Sequence, residues 1–300
     1  MNKHEFENLI EQYRVNIEES NLEEAAKCLE KSFEYSSPID NVINLAFLYI
    51  DLDKFARSKE LFESVLQVEE NASCYYGLGN LLDKSGKREE AISYYEKAIS
   101  ISPEFPYVYF DCAYLYDDLK NYNKAKEYYK KAIELENDDF WSNLNLGSIY
   151  EKENDNENAL HYFLEAYNID SKKPMVNYNL GVVYSKLRNK EKSLEFYLQE
   201  AELENHYNFT YFNLGLLYKD EFKDLEKAKL AYLKGLEEDK DNYYIWYNLG
   251  CLYVAMNDYK NAYDCFIYLY YKNPKMLEYI KEDPELENFR NSLQYQKIMG

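Results

Sequence analysis

Small and large side chains alternate along this chain in a repeating pattern with a period of 33 to 35 residues. A tiny residue stands at Ala46, Gly79, Ala113, Gly147, Gly181, Gly215 and Gly250. Three residues later a large one follows: Tyr49, Leu82, Tyr116, Tyr150, Tyr184, Tyr218 and Tyr253. That separation is about one helical turn, so each pair shares a helix face. A second small place follows at Ser58, Ala91, Ala125, Ala159, Ser193, Ala228 and Ala262, answered four residues on by Phe62, Tyr95, Tyr129, Phe163, Tyr197, Tyr232 and Phe266. Two antiparallel helices approach closely only where a small residue on one meets a bulky side chain on the other. The pattern therefore predicts a helical hairpin in every period.

Short polar stretches such as Asp83–Lys87 and Lys152–Asn156 separate the two halves, leaving room only for a tight turn. Pro103 and Pro274 fall where a second helix should stop. No alternating apolar run is long enough for a sheet, so the predicted class is all-α. The tripeptide Asn-Leu-Gly itself returns at residues 145–147, 179–181, 213–215 and 248–250. A hairpin of this length cannot bury its own apolar face, and its stability must come from stacking on its neighbours. The predicted architecture is a solenoid, and a solenoid works through a surface.

On these residues the chain resembles the tetratricopeptide repeat family, whose signature is Trp, Leu, Gly and Tyr on the first helix, then Ala, Phe, Ala and Pro on the second. The unit beginning at Tyr243 shows it in Trp246, Leu249, Gly250, Tyr253, Ala262, Phe266 and Pro274. Seven units start at Ile39, Ala72, Pro106, Phe140, Pro174, Asn208 and Tyr243, filling residues 39–276. Residues 1–38 read as a degenerate cap that keeps Ala25 and Leu29 but has Tyr13 in the glycine place. Residues 277–300 read as a C-terminal capping helix opened by Asp283-Pro284-Glu285, with Leu286, Phe289, Leu293 and Ile298 as its apolar stripe. Two departures are expected to weaken local packing: Glu200 in the place of the last alanine, and one extra residue between Tyr218 and Ala228. The resemblance covers essentially the whole chain and leaves no room for a separate catalytic or DNA-binding domain. It implies a right-handed superhelical solenoid of about eight helix-turn-helix repeats with a capping helix.

Composition narrows the partners. Thirty-five Lys and Arg stand against 55 Asp and Glu, a net charge of −20. So acidic a chain repels phosphate, which excludes nucleic acid and anionic membrane as partners without a local basic patch, and the sequence has none. The five cysteines, Cys28, Cys74, Cys112, Cys251 and Cys265, show no C-x-x-C spacing and read as small fillers, not metal ligands. His4, His161 and His206 are too far apart to converge, and no phosphate loop or nucleophile motif is present, so neither catalysis nor a cofactor is expected. The N-terminus lacks the apolar run of a signal peptide, and no stretch reaches membrane-span length, which makes a cytoplasmic protein the expectation.

The resemblance also assigns a surface, because in that family the first helices line the concave face through their second, fifth, sixth, ninth, twelfth and thirteenth places. The sixth place reads Asn44, Gly77, Asp111, Asn145, Asn179, Asn213 and Asn248. Two readings of this column stand: an amide ladder that pairs with the main chain of an extended peptide, or amides bonded to the adjacent helix. The second place supplies the candidate anchors Tyr107, Trp141, Met175, Phe209 and Tyr244. Asp117, Asp118, Glu151 and Asp220 suggest a negative rim suited to a ligand with Lys or Arg beside apolar residues. The family's carboxylate clamp for chaperone tails requires basic residues at places that lack them here. The predicted function is a non-catalytic scaffold or adaptor that holds a protein or peptide segment in its groove. A peptide-responsive regulator and a structural part of an assembly, contacting partners through its convex face, are the alternatives.

Overall fold

The computed structural model describes residues 2–299, and side chains are described for all of these except Asn2, Leu277 and Met299. Every regular element among the described residues is helical. The chain divides into two compact units, residues 1–149 and 150–300.

The first unit contains α1 (Asn2–Glu18), α2 (Leu22–Ser32), α3 (Ile39–Asp51), α4 (Phe55–Leu66), α5 (Ala72–Lys84), α6 (Arg88–Ile101), α7 (Pro106–Asp118), α8 (Tyr122–Leu135) and most of α9 (Phe140–Lys152). Successive helices pair as hairpins, α1 with α2 through α7 with α8. The N-terminal pair is thus a hairpin in spite of its degenerate sequence, and Ala25 and Leu29 are wholly buried in it.

The second unit holds α10 (Asn156–Ile169), α11 (Val176–Lys186), α12 (Lys190–Ala201), α13 (Thr210–Leu217), α14 (Leu225–Glu238), α15 (Tyr243–Ala255) and α16 (Tyr259–Lys272). Its C-terminal residues form three short helices, α17 (Met276–Glu282), α18 (Glu287–Arg290) and α19 (Leu293–Met299). The single capping helix expected there is broken at Asp283–Leu286 and again at Asn291–Ser292. Each break resets the helical phase. Leu286, Phe289 and Ile298 are buried against Phe266, as the stripe requires, whereas Leu293 lies beyond the second break and is 72% exposed.

The small-to-large pairing is the core of each hairpin. A Cβ placed on Gly79 would fall 2.4 Å from the ring of Tyr95, and one on Gly215 2.2 Å from that of Tyr232. Ser58 and Ser193 add a bond to the same contact, donating their hydroxyls to the carbonyls of Ala46 and Gly181 at 2.7 and 2.8 Å. Between the two helices the turn is built the same way each time. Asp53, Lys120, Asn154, Arg188 and Asn257 hold left-handed φ values of 55–61°, and the next residue's N–H reaches back to the carbonyl of Tyr49, Tyr116, Tyr150, Tyr184 or Tyr253. This closes the first helix with the hydrogen bond that spans its last turn. The following Asn121, Asp155, Asn189 or Asp258 then caps the second helix by accepting from the N–H three residues on.

Both expected weak points are resolved by specific geometry. The extra residue after Tyr218 is taken up in a π-helical turn, Tyr218–Phe222, so that Asp224 N–H still returns to the Tyr218 carbonyl. Glu200 is wholly buried, and its carboxylate accepts the backbone N–H groups of Met175 at 3.2 Å, Tyr178 at 3.2 Å and Tyr207 at 2.9 Å. It ties the start of α11 to the loop after α12. Met175 in turn holds φ at 73°, and α11 begins at Val176, two residues past the predicted start. The substitution therefore strengthens a junction that a last-place alanine would leave open.

All five cysteines are buried as free thiols, and burial pushes those of Cys74, Cys251 and Cys265 up to about 12.

Candidate functional site

Within each unit the first helices of neighbouring hairpins lie side by side, and hydrogen bonds at fixed places join them. In the first unit the fifth-place hydroxyl of Tyr76 on α5 donates to the sixth-place carboxylate of Asp111 on α7 at 2.7 Å. In the second, the sixth-place amide of Asn213 on α13 donates to the fifth-place hydroxyl of Tyr178 on α11 at 3.0 Å. Tyr247 on α15 repeats the pattern by donating to Asp283, so the residues after α17 take the position of a further unit.

The sixth-place amides are also tied to the preceding second helix. Asn145 Nδ2 donates to the hydroxyl of Tyr129, and Asn213 Nδ2 to that of Tyr197, each at 3.2 Å. Both tyrosines are the large residues of their hairpins, so the same side chain fills the core and holds the surface amide. Gly77 interrupts the column because the ring of Phe62 lies over it, 2.2 Å from where a Cβ would stand. At Asn179 the corresponding large residue is Phe163, which has no hydroxyl, and Asn179 Nδ2 is buried with no hydrogen-bond partner. Asn248 turns instead to the carbonyl of Tyr244 in its own helix at 2.9 Å, and the hydroxyl of Tyr232 is left buried and unpartnered. Asn44 is exposed.

The second-place residues face outward. Tyr107 is 60% exposed, Trp141 48% and Tyr244 66%, with Met175 also exposed. Phe209 is half-buried, its ring 6.3 Å from that of Phe212 and 6.4 Å from that of Tyr244. Of the expected negative rim, Asp118 is paired with Arg88 at 2.7 Å and Glu151 with Lys186 at 2.5 Å, while Asp117 is half-buried. Asp220 also lies 3.9 Å from Lys219, so three of the rim's four carboxylates are ion-paired within the chain.

A cleft opens on these helices in each unit. In the first unit a cleft of about 340 Å³ is lined by Phe47, Asp51, Asn80, Asp83, Tyr95 and Asp111. Burial pushes the Asp111 carboxyl up to about 6 against the opposing pull of the Tyr76 hydroxyl, and Asp83 adds to the rise. Asp51 and Asp83 were missed in the sequence, although they stand at the thirteenth and twelfth places of their units, the places that singled out Asp117 and Asp118. In the second unit a cleft of about 420 Å³ is lined by Tyr243, Tyr244, Tyr247, Asn248, Met276 and Tyr279. Its far wall comes from α17, outside the repeat pattern, and no periodic signal could have pointed to it.

Among the described residues no group of three or more His, Cys, Asp or Glu side chains is placed to hold a metal ion, and no helix is long and apolar enough to cross a membrane.

Stacked hairpins whose first helices are linked place by place define a helical repeat protein of the protein-interaction class. Tetratricopeptide repeat models match residues 72–105, then 106–139, 142–173, 176–206 and 210–242, and finally 231–263. The chain belongs to the tetratricopeptide repeat family. It is 28% identical over 92 residues to the transcription activator GutR of Bacillus subtilis, a match that covers 29% of this chain and 11% of that protein's length. The structure is similar to that of PilF from Pseudomonas aeruginosa, with a TM-score of 0.59 and 17% identity over 69% of this chain and 94% of that one. It is also similar to YrrB, with a TM-score of 0.51 and 23% identity over 68% of this chain and all of that one (100%). At these identities the likeness is one of fold.

Proposed function

We propose that this protein is a non-catalytic scaffold that binds extended peptide segments on the first-helix faces within each of its two compact units. The observation that carries this reading is the exposure of Tyr107, Trp141 and Tyr244, three large rings at one place of the repeat beside the sixth-place polar residues. Rings held on helices lose little freedom on binding and supply the rigid anchors a peptide site needs. The amides play a different part from a free ladder. Those of Asn145 and Asn213 spend their N–H groups on tyrosine hydroxyls, which fixes their orientation toward a ligand. The cleft lined by Asp51, Asp83 and Asp111, with Lys84 as its one lining cation, is net acidic and favours a ligand with basic residues. YrrB, similar in fold, is described as having an unusual peptide-binding site, which is consistent with a peptide ligand.

The test is titration of the full chain with a positional-scanning library of acetylated, amidated nonapeptides. Binding that falls about tenfold or more in Tyr107→Ala, Trp141→Ala or Tyr244→Ala, and is unchanged in Leu230→Ala on the second helix α14, supports the reading. Binding lost in Leu230→Ala alone, or no binding by any sublibrary, sinks it.

A second reading, a peptide-responsive regulator, draws on the likeness to GutR. It requires the solution dimensions of the protein to change with saturating peptide, and unchanged X-ray scattering removes it.

A further inference from the structure

The cleft beside α17 differs from the rest of the first-helix face in three respects. Asn248 is the one sixth-place amide of α13 and α15 that has left the tyrosine of the preceding hairpin: Asn213 is held by Tyr197, whereas Asn248 bonds only within its own helix and lines the cleft. The hydroxyl it leaves behind, on the wholly buried Tyr232, has no partner. An unpartnered buried hydroxyl costs stability, and its persistence beside a displaced amide marks a place where packing alone has not set the side chains. Second, four tyrosines, Tyr243, Tyr244, Tyr247 and Tyr279, surround the space, and two of them are 66% and 65% exposed at Tyr244 and Tyr279. Third, none of the residues lining it is charged, while the hydroxyl of Tyr247 leads directly to the carboxylate of Asp283 in a chain of net charge −20.

We infer that this cleft is a side-chain subsite for arginine in an extended peptide, with the Asn248 amide holding the adjacent main chain. The inference rests on the peptide-binding reading above and names the residue that this end of the surface selects. An arginine satisfies every wall at once. Its methylene stem suits an apolar wall such as Met276, its planar guanidinium suits tyrosine rings, whose quadrupoles attract cations, and its charge complements the acidic chain. A leucine or phenylalanine matches the apolar walls and forgoes the charge. A glutamate meets tyrosine faces and a negative field, both unfavourable.

The experiment uses the same library on the full chain, with the central residue fixed in turn as Arg, Lys, Leu, Phe or Glu. Arg-centred peptides are expected to bind about fivefold or more tighter than Leu-centred ones, with Lys between them, and the advantage should shrink as salt is raised. Tyr279→Leu and Tyr244→Leu, at exposed positions that leave the fold intact, should erase the preference for Arg, and Leu230→Ala on α14 should keep it. Peptides that bind with no preference for Arg, or a preference that survives Tyr279→Leu, overturn the subsite and leave the scaffold standing. Failure of every sublibrary overturns both.

Discussion

The side-chain amide of Asn213 donates to the hydroxyl of Tyr197, 16 residues earlier in the chain, at 3.2 Å. One tyrosine thereby fills the core of its own hairpin and anchors the surface of the next. The arrangement holds again between Asn145 and Tyr129 and lapses at two places, which makes it open to measurement.

Tyr197→Phe removes a hydroxyl with a partner and should cost about 1 to 2 kcal/mol, whereas Tyr232→Phe removes one without a partner and should be neutral or stabilise by about 1 kcal/mol. Urea denaturation of both variants decides it. Equal losses would mean that the hydroxyl of Tyr232 is satisfied in solution.

Phe163→Tyr tests the converse. It places a hydroxyl where the unpartnered Nδ2 of Asn179 lies waiting for an acceptor, in the register that joins Asn213 to Tyr197. The expected gain is about 1 kcal/mol in the melting transition. A drop in melting temperature would show that the ring has no room for its oxygen.

Asp111 gives the first unit a pH dependence of definite sign. Its carboxyl rises from the ordinary 3.8 to about 6 on folding, chiefly through burial. As pH rises from 4 to 6 the unfolded chain releases its proton first, so the folded state loses stability over that window and stays penalised at neutral pH. Asp111→Asn should therefore stabilise the protein by roughly 2 kcal/mol at pH 7 and have little effect below pH 4. Thermal melts at both pH values check this, and a destabilised variant at pH 7 would contradict it.

Glu200 should be the most sensitive departure from the repeat pattern in the chain. Glu200→Ala strips three backbone N–H groups of their acceptor at once, and the expected loss is roughly 3 kcal/mol or more. Glu200→Gln keeps one acceptor oxygen and should lose less. Hydrogen exchange at Met175, Tyr178 and Tyr207 localises the effect. Unchanged protection at those three amides in Glu200→Ala would refute the capping role.

The thiols offer a probe in each unit. With Cys74 in the first and Cys265 in the second both buried and pushed up to about 12, alkylation at pH 8 should wait for local opening. Labelling as fast as that of a free peptide cysteine would show that these sites open readily.

Much of this fold was legible because its information is periodic. The glycine, tyrosine and alanine places mark the helices and hairpins: first helices begin at Ile39, Ala72, Pro106, Phe140 and Tyr243, and at Val176 and Thr210, each two residues past the expected Pro174 and Asn208. What the period does not carry was harder to read. Glu200 looked like a defect because its value lies in three N–H groups brought from two loops, and no spacing rule foretells that convergence. The C-terminal stripe failed at Leu293 because a helical phase persists only while the helix does, and Ser292 lies at a break. At the candidate surface, the second-place rings of Tyr107, Trp141 and Tyr244 are exposed, whereas that of Phe209 is half-buried against Phe212 and Tyr244. The amide column was not legible, since no spacing rule says that the sixth-place amide of one hairpin meets the large residue of the hairpin before it, as Asn145 meets Tyr129.

The π-helical turn at Tyr218–Phe222 has a consequence for how such a chain changes its length. Gly215 and Tyr232 are one residue further apart than Gly79 and Tyr95, yet each glycine still lies against its ring. The surplus is absorbed within one elbow, and Gly250 meets Phe266 downstream as though nothing had been added. A repeat array with such an elbow behaves like a vernier with one slack joint: an added letter is confined to the hairpin that received it, and the graduations beyond keep their alignment.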